Sequence, residues 1–333
     1  MGVSFTGGFK RLERLGARKG LAIAAQNNPY GDGILLSYQT SPYSFSGLSG
    51  TQTFRLFGAA GGSGAISNSS GQTRDGGNGG YAAGSLALQT SDTVEIYTGS
   101  RGQGGTNTDN SNTGGGPGGS NAFNNNAYNG GRGGHTDRDV QNGGGGGGGA
   151  ATILTLNGTV IAVASAGGGS GGGDQFATST NFGTGGAAPS NGQLNGEDGA
   201  DGLNEGGRGG TQTSAGSGGG PIENNSLFNE SGANGSGSTG GRGGDVTGNN
   251  AGGGGGGGGG FFAGGGGASG NSGTAEAYGG GGGAGSVLLP QSWSSNVADF
   301  GDQARVTQGG SGVSAGSGNP GTHGFAILGT AEP

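Results

Sequence analysis

The sequence predicts a mostly β protein: a β-sandwich of short antiparallel strands with an inserted bundle of polyglycine II helices. Three observations predict this fold class. Short apolar segments alternate with polar residues at the period of half-buried strands. Runs of glycine separate these segments, and glycine accounts for 99 of the 333 residues. Finally, Phe261 and Phe262 directly follow the longest glycine run, 252–260, whereas a flexible tether is expected to carry no paired aromatic residues.

The first strand signals are found in "TQTFRLF" and in the segment that follows it. Phe54 and Leu56 alternate with polar neighbours, as in a strand with one buried face. Further along, the apolar residues of "SLALQTSDTVEIY" stand on either side of the polar segment Thr90–Asp92. This arrangement predicts a hairpin in which the segment with Leu86 and Leu88 pairs with the one containing Val94 and Ile96.

The clearest hairpin signal is "ATILTLNGTVIAVA". Its Asn157-Gly158 pair is the preferred two-residue turn, because both positions need positive φ. Folding about this turn places Leu156 opposite Thr159 and Leu154 opposite Ile161. Both faces of the hairpin then carry apolar side chains, so it needs cover on both sides.

Glycine runs flank this hairpin, 143–149 before it and 167–173 after it. Glycine chains can form extended left-handed helices with three residues per turn and no internal hydrogen bonds. Only glycine lets such helices approach one another on every side and bond laterally. The stretch 251–267 therefore predicts two antiparallel glycine helices, with Phe261 and Phe262 as a buried plug or an exposed tip at the bend. Collagen is excluded because a strict G-X-Y period is absent.

Composition limits the functional classes further. The net charge is −7, only 10% of the residues are charged, and there is no cysteine, which excludes a disulfide framework and a cysteine-based zinc site. No apolar run is long enough to insert into a membrane. Residues 1–44 hold a cluster of basic residues and predict a cap or docking segment, and residues 45–333 form the glycine-rich domain. The apolar stretch "GLAIAA" is too short for a signal peptide, so we expect synthesis in the cytoplasm.

Catalytic and metal-binding chemistry is poorly represented. With two histidines and no nucleophile motif, we expect neither an enzyme nor a cofactor. The loop "HTDRD", 135–139, is better explained as solvated than as a metal site. Calcium is the alternative that the sequence leaves open, because hard oxygen ligands cluster in two glycine-rich segments. These ligands are Glu197, Asp198, Asp201 and Asp245.

The motif "GGRGG" occurs three times, around Arg132, Arg208 and Arg242. Such a repeated device predicts a structural role, in which an arginine fork at the end of a glycine helix bonds to backbone carbonyls. RNA-binding proteins also use arginine-glycine segments, but these usually cluster in a basic context. Because these three lie far apart in an acidic chain, we expect no nucleic-acid partner.

The succession "TFRLFGAAGGSG", "GGYAAGSLALQTSDTVEIYTG", the Asn-Gly hairpin between glycine runs, "GGGGGGGGGFFAGGGG" and "GTHGFAILGT" covers about Phe45 to Thr330. It resembles the glycine-rich domain found in the extracellular region of anaplastic lymphoma kinase and leukocyte tyrosine kinase, and in many bacterial and bacteriophage proteins. It is also similar to the glycine-rich adhesins at the tips of bacteriophage tail fibres. The resemblance implies a β-sandwich from which polyglycine helices extend. Residues 1–44 match neither group.

The resemblance to the adhesins implies a virion protein, most specifically a tail fibre or fibre tip that contacts a receptor on the host surface. Residues 1–44 would then dock to other virion proteins, and the chain could assemble as a homo-oligomer. The expected contact residues are aromatic and apolar side chains of glycine-rich loops: Phe123, Tyr128, Leu227, Phe228, Phe261 and Phe262. Two alternatives stay open, a capsid decoration or tail-assembly protein without a receptor, and a disordered RNA-binding or matrix protein.

Overall fold

The computed structural model describes residues 33–66, 75–107, 114–124, 127–136, 142–173, 183–189, 191–222, 229–247, 251–271, 278–300, 307–310, 313–314 and 317–330. Two four-stranded antiparallel sheets account for most of the regular structure, which confirms the predicted mostly β class. The strands are β1 (Ile34–Leu36), β2 (Tyr43–Ser46), β3 (Gly50–Phe57), β4 (Tyr81–Leu88), β5 (Thr93–Tyr97), β6 (Thr152–Leu156), β7 (Thr159–Ala164), β8 (Ala251–Gly252), β9 (Gly270–Asn271), β10 (Val313–Ser314), β11 (Ser317–Gly318) and β12 (Phe325–Thr330).

The strand order is β1-β12-β3-β4 in the first sheet and β2-β5-β6-β7 in the second. The core lies between the two sheets, where Phe54 and Leu56 of β3 meet Val94, Ile96 and Leu154 of the second sheet, all fully buried. Two short strand pairs, β8-β9 and β10-β11, and a 3-10 helix at Val297–Phe300 complete the regular elements of the described residues.

The Asn157-Gly158 turn has the predicted geometry, with φ of 52° and 79° at its two positions. Leu156 lies opposite Thr159, as predicted. Leu154, however, pairs with Ala162 and not with Ile161, because the register shifts between Leu154 and Thr155. The predicted Leu154–Ile161 pair is therefore wrong: one extra residue in β7 forms a bulge that the alternation of side chains did not reveal.

The predicted hairpin between the segments with Leu86 and Val94 is also wrong. β4 pairs along its whole length with β3 in the first sheet, and β5 pairs with β2 and β6 in the second. The polar turn is present, since the N–H of Asp92 donates to the carbonyl of Gln89 at 3.0 Å. It carries the chain from one sheet to the other, so the apolar residues on its two sides meet across the core.

The predicted division into residues 1–44 and 45–333 stays a prediction, although strands already form before residue 45. β1 pairs with β12 and β2 pairs with β5, so residues 33–44 contribute to both sheets and belong to the sandwich. Residues 1–32, which hold all the basic residues of the predicted docking segment, lie outside the described residues.

The glycine run 143–149 is bonded to its surroundings in three directions. The N–H groups of Gly145 and Gly148 donate to the segment 131–134, and those of Gly146 and Gly149 donate to 167–170. Gly147 and Ala150 donate to the segment 100–103. Each direction therefore recurs every third residue.

The carbonyl groups of the same run accept hydrogen bonds with the same period from three further segments, 59–65, 116–119 and 253–259. Six segments thus surround one glycine run. A Cβ on Gly145 would lie 2.0 Å from the carbonyl oxygen of Gly254, which leaves no space for any side chain. A period of three is that of a polyglycine helix. These lateral bonds support the predicted helices, although the helices themselves stay a prediction.

The run 252–260 has its own set of six neighbours and lies beside the segment that follows it. Gly264 donates to Gly258 and Gly267 donates to Gly255, so the two segments run antiparallel. Phe261 and Phe262 lie at the bend between them, each half-buried, with their rings in edge-to-face contact at 4.8 Å. The pair is neither a fully buried plug nor a fully exposed tip.

Segments at the perimeter of this glycine bundle carry a side chain at every third position. Arg208 is exposed, whereas the glycine pairs on both sides of it are buried, and the same alternation surrounds Asn78. Around Arg242 the pattern differs only at Gly240, which is half-buried. One residue in three therefore faces solvent and two face the bundle. A side chain larger than that of glycine therefore fits in these perimeter segments only at the solvent-facing position of each three.

Candidate functional site

The glycine bundle has two ends. At its near end the glycine segments continue into the sandwich, as run 143–149 continues into β6. At its far end, isolated bridges join Ile66 to Gly173, Gly173 to Tyr278, and Thr136 to Val246. These bridges hold the ends of several segments side by side, on the side of the bundle opposite the sandwich.

The described residues at this end are distant from one another in sequence, and a described contact holds each of them or its neighbour: Ile66, Asn107, Thr136, Gly173, Ile222, Val246 and Asn271. Examples are the bridge from Asn107 to Gly143 and the pairing of Asn271 with Ala251. The N–H of Ile222 donates to Asn204, which in turn donates to the carbonyl of Tyr278. The bundle therefore brings residues that are distant in sequence together at one surface.

A small apolar cluster lies beneath this surface. Ile66 and Tyr278 are buried and Leu203 packs against them. Val246 is buried as well. Burying such side chains stabilises the structure by about 1.5–3 kcal/mol each. The far end is thus held by packing as well as by backbone hydrogen bonds.

Phe123 and Tyr128, predicted as loop contacts, lie at the near end. Phe123 packs between Tyr97 of β5 and Tyr128, with centroid distances of 5.1 and 5.7 Å. Burial raises the pKa of Tyr128. Burial and a hydrogen bond to Glu95 raise the pKa of Tyr97 to about 12. These half-buried rings pack where the bundle meets the second sheet, and any contact with a receptor stays a prediction.

Phe261 and Phe262 also lie at the near end. Their N–H groups both donate to Ser286, one to its carbonyl and one to its hydroxyl. Ser238 stands between the two aromatic groups, because its hydroxyl accepts from the N–H of Tyr128 and its carbonyl accepts from Gly260. The structure thus places four of the six predicted contact residues around the turn 236–239, which contains Ser238. Leu227 and Phe228 lie outside the described residues.

The arginines of two "GGRGG" motifs meet at one carboxylate. Arg132 binds Asp245 through both of its terminal nitrogens at 2.8 and 2.7 Å, and Arg242 binds the same carboxylate at 2.6 Å. Arg242 also pairs with Glu230 at 3.1 Å. Arg132 additionally donates to the carbonyl of Gly133, the type of partner expected from the sequence. The other partners of these two guanidinium groups among the described residues are carboxylates.

The acidic segment around Asp198 is organised by the third motif. Asp198 accepts from the N–H of Gly209 and from Arg208, and Asp201 accepts from the N–H of Gly206. Two acids three residues apart thus bind two amides three residues apart on an antiparallel segment. The carboxylates occupy positions where a further glycine segment would otherwise accept these bonds.

The calcium alternative gains no geometric support from these contacts. Asp245 and Asp198 are engaged by arginines and backbone amides, and Asp201 by a backbone amide. Glu197 donates its backbone N–H to Ala187 and contributes its carbonyl to Ala284. In the described part of the chain, no three acidic or histidine side chains are grouped as metal ligands.

A cavity of about 500 Å³ lies at the edge of the sandwich, lined by Leu35, Ser37, Tyr38, His323, Gly324 and Phe325. The rings of Tyr38 and His323 are stacked, with centroids 4.3 Å apart and planes 8° apart. The sequence contained no signal for this site, because its two halves come from opposite ends of the domain and are brought together by the pairing of β1 with β12.

No protein-family model matches the chain, and no curated protein matches it. Among the described residues, no helix is long and apolar enough to cross a membrane.

Proposed function

We propose that the chain is a structural protein of a bacteriophage virion, most specifically a tail fibre or fibre tip that contacts the host surface. The carrying observation is the far end of the glycine bundle, where described residues that are distant in sequence are bridged side by side at one surface. A glycine scaffold of this kind can present further residues without depending on their side chains for its own packing. Such an arrangement suits a protein whose contact surface must change while its fold is retained.

Three segments outside the described residues have sequences that fit this role. They are "SNSSGQTR", "TDNSNT" and "ENNSLF", which are mostly polar, and the last of them contains Leu227 and Phe228. Adaptable polar side chains with a few apolar or aromatic anchors are typical of recognition surfaces. We place host contact at this end, with Leu227 and Phe228 as its anchors. Phe123, Tyr128, Phe261 and Phe262 then serve the junction between bundle and sandwich.

The basic segment 1–32 is the proposed attachment to other virion proteins. It contains both lysines of the chain, Lys10 and Lys19. β1 begins at Ile34 on the edge of the first sheet, away from the far end of the bundle. Attachment through this segment would leave the far end free to face the host.

The second candidate is a capsid decoration or tail-assembly protein, which would use the same scaffold without a receptor. RNA binding has less support, because Arg132, Arg208 and Arg242 are all paired with carboxylates. A guanidinium engaged in this way must give up its partner before it can contact phosphate.

Immunogold electron microscopy of the particles that contain the chain tests its location. We expect label at the end of the tail. Label on the head would contradict the proposal and favour a decoration protein.

A competition experiment tests host contact. Purified chain, added to host cells before the particles, should reduce particle adsorption. Replacing Leu227 and Phe228 together by serine should abolish this effect and leave the melting temperature unchanged. The matched control replaces Phe261 and Phe262 by serine and should still compete wherever the protein remains folded. Failure of the unaltered chain to compete would contradict host contact.

A further inference from the structure

We propose that the cavity at Tyr38 and His323 binds a hexose that carries an anionic group, with Arg101 as the cationic partner of that group. The cavity lies at the junction of sandwich and bundle and is separate from the far end. The proposal rests on the proposed function to the extent that such a sugar belongs to a host surface.

The shape of the cavity fits a sugar ring. Its volume of about 500 Å³ is within the usual range for small-molecule sites. The stacked Tyr38 and His323 rings and Phe325 supply flat apolar surface, against which the C–H groups of a sugar ring can pack. Burial of this ring face supplies affinity, and the polar groups around it supply orientation.

His323 offers a hydrogen-bond donor at the same place. Its Nδ1 accepts the backbone N–H of Arg101 at 3.2 Å. A neutral imidazole with Nδ1 as acceptor carries its proton on Nε2. Burial, together with the charge of Arg101, lowers the pKa of His323 and so favours the neutral ring. The ring can therefore donate to a sugar hydroxyl.

Arg101 differs from the other arginines described above. No carboxylate of the described ranges pairs with its guanidinium, although the chain carries an excess of acidic residues. Its Nε is buried and has no hydrogen-bond partner there. A buried donor without a partner is costly, by about 1–3 kcal/mol. A bound anion would supply the missing acceptor, because guanidinium binds carboxylate and phosphate with matched geometry.

Arg101 and His323 are kept together by the backbone around them. Gly324 donates to the carbonyl of Gly99, and Gly102 donates to Ala60 in the bundle. Gln39, next to Tyr38, donates its N–H to the hydroxyl of Thr98. These contacts fix the backbone of Arg101 beside the ring stack. Arg101 does not line the cavity itself, but its charge lies near enough to His323 to help lower the pKa of that ring, so the guanidinium lies beside the cavity.

Calorimetric titration of the purified full-length chain tests the proposal with three probes: glucuronate, glucose 6-phosphate and glucose. We expect millimolar binding of at least one anionic sugar, weakened by added salt, and at least tenfold weaker binding of glucose. The two anionic probes distinguish a carboxylated from a phosphorylated ligand. No binding of either would overturn the proposal.

Two variants and a control separate this site from general effects. Arg101→Gln should weaken binding of the anionic sugar at least tenfold, and Tyr38→Ala should weaken all binding. Arg208→Gln, which removes an exposed arginine paired with Asp198, should leave affinity unchanged. Equal losses in Arg101→Gln and Arg208→Gln would overturn the assignment of Arg101.

Protein-detected NMR covers the case in which a variant fails to fold. Resonances of Tyr38 and His323 in the unaltered chain should shift on addition of the sugar, and shifts confined to other residues would overturn the proposal. Sugar binding without adsorption competition would contradict the proposed function alone. Adsorption competition without sugar binding would contradict the sugar site alone.

Discussion

Carboxylates replace missing neighbours at the perimeter of the glycine bundle. A central run has other segments on all sides, but a perimeter segment has amides that face outward. Asp198 and Asp201 accept from Gly209 and Gly206, and Asp245 accepts from His135. Unpaired backbone groups attract further chains, so these acids protect the perimeter as charged residues protect a sheet edge.

Asp245→Asn tests this role at the carboxylate that binds two arginines and a backbone amide. Asparagine keeps one acceptor but loses the charge that binds Arg132 and Arg242. Because the Asp245 side chain is only 18% exposed, we expect the free energy of unfolding to fall by about 1–3 kcal/mol. Urea denaturation measures the change.

Asp198→Asn is the matched control, because its carboxylate also binds an arginine and a glycine amide but is 50% exposed. Its substitution should lower the free energy of unfolding by less than about 1 kcal/mol. Equal losses in the two variants would contradict a contribution that depends on burial.

The same acid predicts a dependence on pH. Burial alone would raise the pKa of Asp245, but hydrogen bonds from Arg132 and the N–H of His135, with the charges of both arginines, lower it below 3.8. A lowered pKa means that the native state favours the charged acid. Its stabilisation is complete above the unfolded value and is lost as pH falls through the native one.

Urea denaturation between pH 7 and pH 2 measures this dependence. The unaltered chain should lose stability in the acid range, and Asp245→Asn should lose less. Parallel curves for the two proteins would show that Asp245 does not titrate in this way.

At the scale of elements, glycine runs take the place that helices or strands have in other folds. Their stability comes from neighbours and not from bonds within the segment. A run with six neighbours has no direction in which a side chain can point. The penalty that glycine usually carries, its loss of backbone freedom, is offset by hydrogen bonds that no other residue could make.

Gly256→Ala tests this packing. A Cβ at Gly256 would lie 2.1 Å from the carbonyl oxygen of Gly131, so both segments must shift. We expect a loss of at least about 2 kcal/mol in the free energy of unfolding. Gly329→Ala is the control, because nothing lies within 4 Å of a Cβ there. A flexible linker at Gly256 would accept alanine as readily as Gly329 does.

Elements defined by local geometry could be predicted from the sequence, and elements defined by distant partners could not. The Asn157-Gly158 turn needs only its own φ preferences, so its position was correct. β4 and β5 were predicted to pair because they are adjacent in sequence. They pair instead with β3 and β6, in two different sheets that pack face to face across the core. The bulge opposite Leu154 depends on contacts that no local pattern records.

The candidate sites show the same limit. The three arginines and the acids Asp198 and Asp245 were each noticed in the sequence, for separate reasons, but their pairing joins segments up to 113 residues apart. The spacing of three between Asp198 and Asp201 was the signal that could have linked them to Gly206 and Gly209. Tyr38 and His323 carried no pattern at all.

At the scale of the whole molecule, the sandwich fixes one end of a glycine bundle, and residues distant in sequence are bridged at the other end. The described glycine segments share hydrogen bonds in every lateral direction, so we expect the bundle to behave as one cooperative unit. A rigid support of this kind would hold the far-end residues at a constant position relative to the sandwich. The proposed adhesive function depends on that rigidity.

Hydrogen–deuterium exchange of the glycine amides is the most direct measurement of this claim. The amides of 253–259 all donate to other segments, at 2.8–3.1 Å. We expect them to exchange as slowly as the amides of β3 and β6 and to become exposed in the same global unfolding event. Exchange at the rate of an unstructured peptide would contradict the account, because it would show that these glycines form a flexible linker.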